Sequence, residues 1–348
     1  MGYINIFQMM SIGGCMNKII VSRAPFRVSL AGGGTDIISY CSKFGGQVIG
    51  FSIDRYVVTT LLPRNFQGVN DFLSYNNEFF SDYSEIKNRY LLHALRVLNL
   101  NQNFKASILS DAPPNTGLGG SAAFLNSFIY AGAEIGNSNY SRVELAELSS
   151  NVEIEDLNRP VGKQDHYLSS LGGMNLLTFD EKLNVLPTKI NVKDKCIHYF
   201  NSRLMLFYTN ITRSAGKVLS DQSNKMERSN KNAINLMHDI KSLVNPMYDA
   251  IINDNPNEIG PIIAEHWYRK RSLTNSKTDD QISQLIDLAY KNGADGCKII
   301  GAGGGGFVLV SSKEGMQQKI RDAFTKNKIK ELKFNIEFEG VSANTITI

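Results

Sequence analysis

Apolar residues along the chain change between the alternating spacing of strands and the three-to-four-residue spacing of helices. Residues 19–30 and 47–62 are rich in β-branched and aromatic side chains and are predicted strands. Residues 85–98 place their leucines on one side of a predicted helix, and residues 104–109 are a short predicted strand. The first part of the chain therefore predicts mixed α and β structure.

Two further helices are predicted before the middle of the chain. Residues 121–135 are apolar almost all round, which is typical of a buried helix. The next helix begins at a capping box, in which Ser141 is followed three positions later by Glu144, and its helical pattern continues over 145–154. Both helices precede a predicted hairpin.

The second half of the chain is predicted to contain long helices between strands. After the hairpin of 174–179 with 183–190, the predicted strands are 202–208, 297–300, 307–311 and 334–338, and the predicted helices are 226–253, 258–273, 279–291 and 313–324. Gly293 is the predicted C-cap of the helix over 279–291.

A charge-rich break at 188–195 predicts a boundary between two domains, residues 18–188 and 189–348. Residues 1–17 carry neither a signal-peptide pattern nor a folded pattern, so we expect a disordered or non-native leader with Met16 as the natural start. Strands and helices do not alternate regularly. The predicted fold class is therefore α+β in two layers.

Composition excludes several classes of protein. With 42% hydrophobic and 20% charged residues, the chain can bury a large core. The four cysteines form no close pair, and with five dispersed histidines they show neither a zinc site nor a disulfide framework; we expect a reduced, cytoplasmic protein. A net charge of +4 and the absence of a long apolar run predict neither a nucleic-acid nor a membrane partner.

Glycine is concentrated in three short segments, 32–34, 117–120 and 301–306, which hold eleven of the 29 glycines. The second segment precedes the predicted helix 121–135, and a glycine-rich turn at a helix N-terminus presents N–H groups and a positive dipole to phosphate. Ser121 is placed like the hydroxyls that hold Mg²⁺ beside a triphosphate. The alternative is a tight loop before a buried helix.

Two nucleotide motifs do not apply. No G-x-x-x-x-G-K-[ST] occurs, which excludes a Walker-type NTPase. Residues 301–306 match G-x-G-x-x-G, but a strand follows where a dinucleotide fingerprint needs a helix. We expect this backbone to lie close under another group, with a flexible hairpin tip as the alternative.

Candidate acid and base residues cluster before the predicted hairpin. Asp165 lies close to a lysine and a histidine in the sequence. Such an aspartate more often belongs to a surface ion pair than acts as a catalytic residue. Glu153 lies twelve residues earlier on the helical stretch, and Glu155 points elsewhere. Periodicity alone does not decide the role of these carboxylates.

Three segments in order resemble the signature motifs of the GHMP small-molecule kinases. They are residues 23–36 (RAPFRVSLAGGGTD), 113–123 (PPNTGLGGSAA, with Gly120 in place of a serine) and 298–307 (KIIGAGGGGF). The resemblance extends from about Lys18 to the C-terminus. It implies a two-domain fold, with a ribosomal protein S5 domain 2-like N-terminal domain and a ferredoxin-like α/β C-terminal domain.

Within that family, AGGGTD in place of GEHTD, together with residues 162–165 and 266–271, most resembles the heptose 7-phosphate kinases. This resemblance implies transfer of the γ-phosphate of ATP, with Mg²⁺, to the anomeric hydroxyl of D-glycero-α-D-manno-heptose 7-phosphate, on the route to GDP-heptose for surface polysaccharide. The alternatives are an unphosphorylated sugar, such as L-fucose or galactose, and a non-catalytic sugar sensor. The oligomeric state stays open between monomer and dimer.

The resemblance also implies residue roles. Asp165 would be the general base, with Arg27 beside it to keep it ionised and to stabilise the transferring group. Ser121 and Glu153, or Glu155 instead, would hold Mg²⁺. The ATP-binding residues would be Pro114, Asn115, Thr116, Gly117, Leu118, Gly119, Gly120, Ser121 and Ala122. The substrate-binding residues would be Arg23, Gly33, Gly34, Thr35, Asp36, Lys163, Gly303, Gly304, Gly305 and Arg269.

Some of these roles compete with structural ones. Asp36 would instead, or also, cap a helix over 37–42. A clamp for the distal phosphate would come from Lys163, Arg269, Lys270 or Arg271, whose alternative is an ordinary solvated helix face. Residues 303–306 would form the floor of the site and touch the loop 115–121.

Overall fold

The computed structural model describes residues 18–64, 70–73, 77–100, 103–136, 138–211, 231–271, 279–301, 303 and 305–347. The predicted leader 1–17, Gly304 and the start of the predicted helix 226–253 lie outside the described residues.

The described elements alternate between strands and helices. The strands are β1 (Lys18–Ala31), β2 (Gly46–Pro63), β3 (Asn70–Leu73), β4 (Glu78–Phe80), β5 (Phe104–Ser110), β6 (Met174–Phe179), β7 (Val185–Ile190), β8 (Leu204–Tyr208), β9 (Ala294–Ile299), β10 (Phe307–Ser312), β11 (Lys330–Leu332) and β12 (Ser342–Thr347). The helices are α1 (Ile38–Phe44), α2 (Arg89–Leu98), α3 (Gly120–Ile135), α4 (Arg142–Asn151), α5 (Gln164–Leu171), α6 (Asp194–Ser202), α7 (Lys231–Ser242), α8 (Val244–Ile252), α9 (Ile259–Arg271), α10 (Asp279–Lys291) and α11 (Gln317–Lys326).

The larger sheet is built around the long strand β2. Its order is β12-β1-β2-β5-β3-β4, and β6 pairs with both β2 and β7. Different halves of β2 pair with β5 and with β6, so one strand belongs to two neighbouring ladders. The pairs are antiparallel except for β3 with β5. This sheet carries the first glycine cluster at the end of β1.

The smaller sheet has the order β11-β8-β10-β9, and its pairs are all antiparallel. Helices connect β8 to β9 and β10 to β11, which is the βαββαβ arrangement of ferredoxin-like domains. The predicted α+β fold with a ferredoxin-like C-terminal part is thereby confirmed.

The buried helix α3 packs on the larger sheet as its all-round apolar sequence predicts. Ala122, Leu125, Phe128 and Ile129 are fully buried. The capping box at the start of α4 is also confirmed, since Ser141 and Glu144 each bond the other's backbone N–H. The local sequence therefore predicts both the burial of α3 and the start of α4.

The two sheets are joined at a buried lysine. Lys298 on β9 extends its Nζ to the backbone carbonyls of Ser29 at 3.0 Å and Leu30 at 3.1 Å, at the end of β1. A buried ammonium needs such acceptors because its solvation by water is lost. Lys298 thereby positions the first and third glycine clusters relative to each other.

Several predicted boundaries are wrong. Residues 334–338 form no strand beyond an isolated bridge between Ile336 and Ile53, and the chain closes with β12 on the edge of the larger sheet. The outer half of β12 is exposed, so its polar sequence shows no buried face. The helix predicted from residue 85 begins at Arg89, where the Asn88 side chain caps the N–H of Leu91.

Two other ranges also shift. The predicted strand 202–208 begins at Leu204, because residues 194–202 form the unpredicted helix α6. The helix predicted over 313–324 spans Gln317–Lys326. Strand β7 runs through residue 188, and β12 pairs with β1 of the first sheet, so the domain boundary at 188/189 stays a prediction.

Candidate active site

The second and third glycine clusters lie backbone against backbone. A Cβ on Gly117 would stand 2.4 Å from the carbonyl oxygen of Ile300, and one on Gly306 would stand 2.1 Å from that of Thr116. Both glycines have positive φ, which other residues rarely adopt. The predicted contact between the third cluster and the loop 115–121 is confirmed.

The loop ends in the N-terminus of α3. Gly119 is the N-cap residue, with a φ of 77°, and it offers no side chain to occupy the first N–H groups of the helix. These groups and the helix dipole favour an anion at this point. A Cβ on Gly119 would stand 3.2 Å from Cγ of Arg27, so the loop lies directly on that side chain.

Arg27 and Asp165 form a bidentate pair. The Nε of Arg27 donates to Oδ1 of Asp165 at 2.7 Å, and Nη2 donates to Oδ2. The remaining nitrogen, Nη1, donates to the backbone carbonyl of Gly117. The Arg27 side chain is 4% exposed and that of Asp165 is 27% exposed, so the base is reachable while the arginine is enclosed. The structure brings the two predicted catalytic residues together.

Glu153 lies on the other side of the loop, beside Ser121. Residues Val152–Asp156 form a turn of π-helix, a local widening that often re-aims side chains at functional sites. Tyr90 donates to Oε1 of Glu153 at 2.9 Å, and Nε2 of His166 lies 3.1 Å from Oε2. Burial raises the pKa of Glu153, but its contacts with His166, Tyr90 and Ser121 outweigh burial and hold the pKa below its usual value.

A hydroxyl and an ionised carboxylate are hard oxygen donors of the kind that Mg²⁺ takes, so Ser121 and Glu153 fit the ion. Glu155, two residues further on, is exposed. The part of the chain that the structure describes holds no cluster of three or more histidine, cysteine or carboxylate ligands. An ion held here would therefore complete its shell with phosphate oxygens and water.

A cavity opens next to Asp165. Arg27 and Asp165 line it on the side of the loop, Gly33 and Gly34 line it at the end of β1, and Lys270 and Lys298 line it from the second sheet and its helix. The cavity is therefore formed by both halves of the chain.

Asp36 is held rigidly in this cavity. It accepts hydrogen bonds from the backbone N–H of Gly34 and Gln164 and from the amide of Gln164 at 2.7 Å. Burial and the charge of Asp165 raise its pKa despite these bonds. The N-cap residue of α1 is Ile37, so the alternative role of Asp36 as a helix cap is wrong. Neighbouring Thr35 instead donates to the Gln47 carbonyl.

Three predicted substrate-binding residues, Arg23, Lys163 and Arg269, contact other residues outside the cavity. Arg23 lies over Tyr56 and pairs with Glu339. Lys163 pairs with Glu147.

Arg269 donates to Glu265 and to the Asp239 carbonyl, and the candidate Arg271 stacks on Tyr268. Lys270 alone of the three consecutive basic residues on α9 lines the cavity.

Three of the predicted floor residues are described, Gly303, Gly305 and Gly306. Gly303 lies near Trp267 and Lys270, and Gly305 packs on the carbonyl of Ile211. Gly304 lies outside the described residues.

Among the polar side chains that line the cavity, sequence reasoning missed Ser29, Gln164 and Lys298. A signal existed for the last, since a lysine within the apolar run 297–300 of a strand is unusual and points to a bound partner. Ser29 and Gln164 lie inside recognised motifs but carry no pattern of their own. Only their position around the cavity distinguishes them.

Parts of both halves of the chain match models of a known family. The N-terminal domain model of the GHMP kinases matches residues 88–173, and their C-terminal model matches residues 247–330. The chain is 28% identical over 337 residues to D-glycero-alpha-D-manno-heptose 7-phosphate kinase of Campylobacter jejuni, covering 94% of this chain and 99% of that protein.

More distant relatives differ in their substrates. L-fucokinase/L-fucose-1-P guanylyltransferase of Bacteroides fragilis is 23% identical, over 89% of this chain and 36% of that protein. A crystal structure of a D-glycero-D-manno-heptose 1-phosphate kinase from Bacteroides thetaiotaomicron superposes with a TM-score of 0.78 at 22% identity, covering 94% of this chain and 99% of that one.

Among the described helices, none is both long and apolar enough to pass through a lipid bilayer.

Proposed function

Because this chain belongs to the GHMP kinases, which are phosphotransferases with a hydroxyl acceptor, we propose that it transfers the γ-phosphate of ATP to the anomeric hydroxyl of D-glycero-α-D-manno-heptose 7-phosphate. The observation that carries the chemistry is the bidentate contact of Arg27 with Asp165 at the mouth of the cavity. The observation that favours this acceptor is the similarity to the Campylobacter jejuni enzyme over nearly the whole chain.

In the proposed reaction, Asp165 accepts the proton of the anomeric hydroxyl as that oxygen attacks the γ-phosphorus. The bond from this phosphorus to the bridging oxygen breaks, and ADP leaves. Arg27 holds the carboxylate in place and adds positive charge beside the transferring group. The N–H groups at the start of α3 bind the phosphates.

Ser121 and Glu153 are the residues that would hold Mg²⁺. When bound, the ion neutralises charge on the phosphates of ATP. Tyr90 and His166 orient the Glu153 carboxylate by contacts to separate oxygens, so that it can face an ion beside Ser121. The proposed product is the 1,7-bisphosphate, used in the cytoplasm on the route to GDP-heptose for surface polysaccharide.

An unphosphorylated acceptor such as L-fucose is the second candidate, favoured by the similarity to the L-fucokinase of Bacteroides fragilis. The two candidates share the fold and the Arg27–Asp165 pair and differ only in what the cavity accepts.

A panel of sugars separates them. Enzyme with MgATP is incubated with heptose 7-phosphate, the same heptose without phosphate, L-fucose and galactose, and ADP release is measured with product identification by ³¹P NMR. We expect turnover with heptose 7-phosphate to exceed the others. Turnover with L-fucose or galactose alone would contradict the proposed acceptor and assign that sugar in its place.

A further inference from the structure

We propose that Lys270 binds the phosphate group of the acceptor and thereby makes the enzyme specific for phosphorylated sugars. This inference rests on the proposed function, because it assigns a residue to the distal phosphate of the same acceptor.

Lys270 is brought to the cavity by the rotation of α9. The residue is 5% exposed, and its Nζ donates to the Gly301 carbonyl at 2.8 Å in the third glycine cluster. The flanking residues Arg269 and Arg271 are turned to other partners on the outside of the helix. The helix therefore delivers one ammonium group to the inner wall.

The charge of Lys270 has no carboxylate partner in the described structure. Its Nζ makes one hydrogen bond, to a neutral carbonyl, and no carboxylate among the residues that the structure describes lies within ion-pair distance. An ammonium has three donors, so two remain. Burying an unpaired charge is costly, and such a group is retained where a ligand of opposite charge completes it.

The charged groups near Lys270 are engaged with other partners. Arg27 is occupied by Asp165, and Lys298 by the carbonyls of Ser29 and Leu30. Asp36 is held by Gln164 and by the backbone of Gly34. A phosphate dianion in the cavity beside Lys270 would balance the positive charge of a wall that carries two buried lysines.

The electrostatics of Lys270 connect this binding to pH. Burial lowers the pKa of Lys270 to about 8; Asp36 and Asp165 raise it and Arg27 lowers it further. Burial likewise holds the pKa values of His266 and Lys298 well below their usual values. The charges of Lys298, Lys270 and Arg269 add to the effect at His266. A bound phosphate favours the protonated lysine, so acceptor affinity should fall as pH rises above about 8.

Two orphaned polar atoms support a ligand in the same cavity. The hydroxyl of Ser29, which is buried, and Oε1 of Gln164 have no hydrogen-bond partner among the described residues. Buried polar atoms are normally paired, so both are suited to sugar hydroxyls. The cavity thus offers hydroxyl contacts near β1 and a cation on the opposite helix.

The test compares Lys270→Met and Lys270→Arg with Lys319→Met, which changes an exposed lysine on α11 that does not line the cavity. Steady-state kinetics are measured with heptose 7-phosphate and with the same heptose lacking phosphate. For Lys270→Met we expect kcat/KM for the phosphorylated sugar to fall by roughly 10- to 100-fold, the loss of one charged hydrogen bond. The kcat/KM for the unphosphorylated sugar should change by less than about threefold, and Lys319→Met should leave kcat/KM for both sugars unchanged.

Equal losses with both sugars would overturn the inference, because Lys270 would then serve the transferring phosphoryl group. A preference for the phosphorylated sugar that survives in Lys270→Met would overturn it as well. In either case, wild-type turnover of heptose 7-phosphate still supports the proposed function, and its absence in the wild type contradicts that function instead.

A second measurement uses isothermal titration of heptose 7-phosphate without ATP between pH 7 and pH 9.5. Wild-type affinity should weaken above about pH 8. Lys270→Arg should bind without that decline, because a guanidinium stays charged over this range. A decline that persists unchanged in Lys270→Arg would assign the pH dependence to another group and contradict the role of Lys270.

Discussion

Arg27 contacts both oxygens of Asp165 with two nitrogens and the Gly117 carbonyl with the third. One side chain thereby joins the candidate base to the loop that precedes α3. Because Arg27 is almost fully enclosed, its guanidinium loses its solvating water and depends on these three acceptors. Arg27 therefore links the base directly to the phosphate loop.

Replacing Arg27 with lysine should lower kcat by roughly 10- to 100-fold with little change in the fold. A lysine can supply one point contact but cannot bind both oxygens of Asp165 in a fork. Arg23→Lys is the matched control, since Arg23 lies on the same strand and contacts Glu339 away from the cavity. Equal activity of the two variants in a coupled ADP assay would argue against the bidentate role.

Asp165→Asn should lower kcat by about 10²- to 10⁴-fold, the usual contribution of a general base. The amide keeps the size of the carboxyl group but cannot take the proton. ATP binding, measured by titration calorimetry, should change little because the phosphate loop is held by Arg27 and the third glycine cluster. Unchanged turnover would remove Asp165 from the role of base.

Glu153→Gln should raise the Mg²⁺ concentration needed for half-maximal activity by at least about tenfold. The amide keeps the hydrogen bond of Tyr90 but loses the negative charge that the ion would require. Glu155→Gln is the control, because that side chain is exposed two residues further on. Magnesium titrations of both variants, with the Mg²⁺ dependence of ATP binding as a second readout, test this; equal effects would contradict the choice of Glu153.

Gly33→Ala should raise the KM for the acceptor by roughly tenfold and leave the KM for ATP unchanged. Its Cβ would stand 2.9 Å from the Ser29 hydroxyl and 3.6 Å from Oε1 of Gln164, inside the cavity lining. Gly136→Ala, at the far end of α3 with neighbours no nearer than 3.7 Å, is the control. A raised KM for ATP instead would place Gly33 in the nucleotide site.

Lys270→Met should stabilise the fold most below about pH 8. The pKa of Lys270 is lowered from 10.5 to about 8 in the folded protein. Between these values the unfolded chain binds a proton that the folded chain does not, so wild-type stability rises with pH. The stability difference between Lys270→Met and wild type, from urea unfolding, should shrink from pH 8 to pH 10.5. A difference independent of pH would contradict the lowered pKa.

Features that depend only on consecutive residues can be predicted from the sequence alone. The glycine-rich turn at 117–120, a hydroxyl at Ser121 and the all-round apolar helix behind them are local properties of the chain, and the structure confirms their arrangement. The capping box of Ser141 and Glu144 is local in the same sense. The three motifs in order were therefore sufficient to predict the family and the α+β fold.

Packing decided the rest. Residues 269–271 are three consecutive cations, and each is turned by about 100° from the next, so only the rotation of α9 against the second sheet selects Lys270 for the cavity. The π-helical turn at Val152–Asp156 likewise aims Glu153, not Glu155, at Ser121. The closing strand β12 needs only hydrogen bonds to β1 on one edge, so its polar residues carry no periodic signal. Contacts between segments far apart in the chain have no local pattern, and tertiary structure alone determines them.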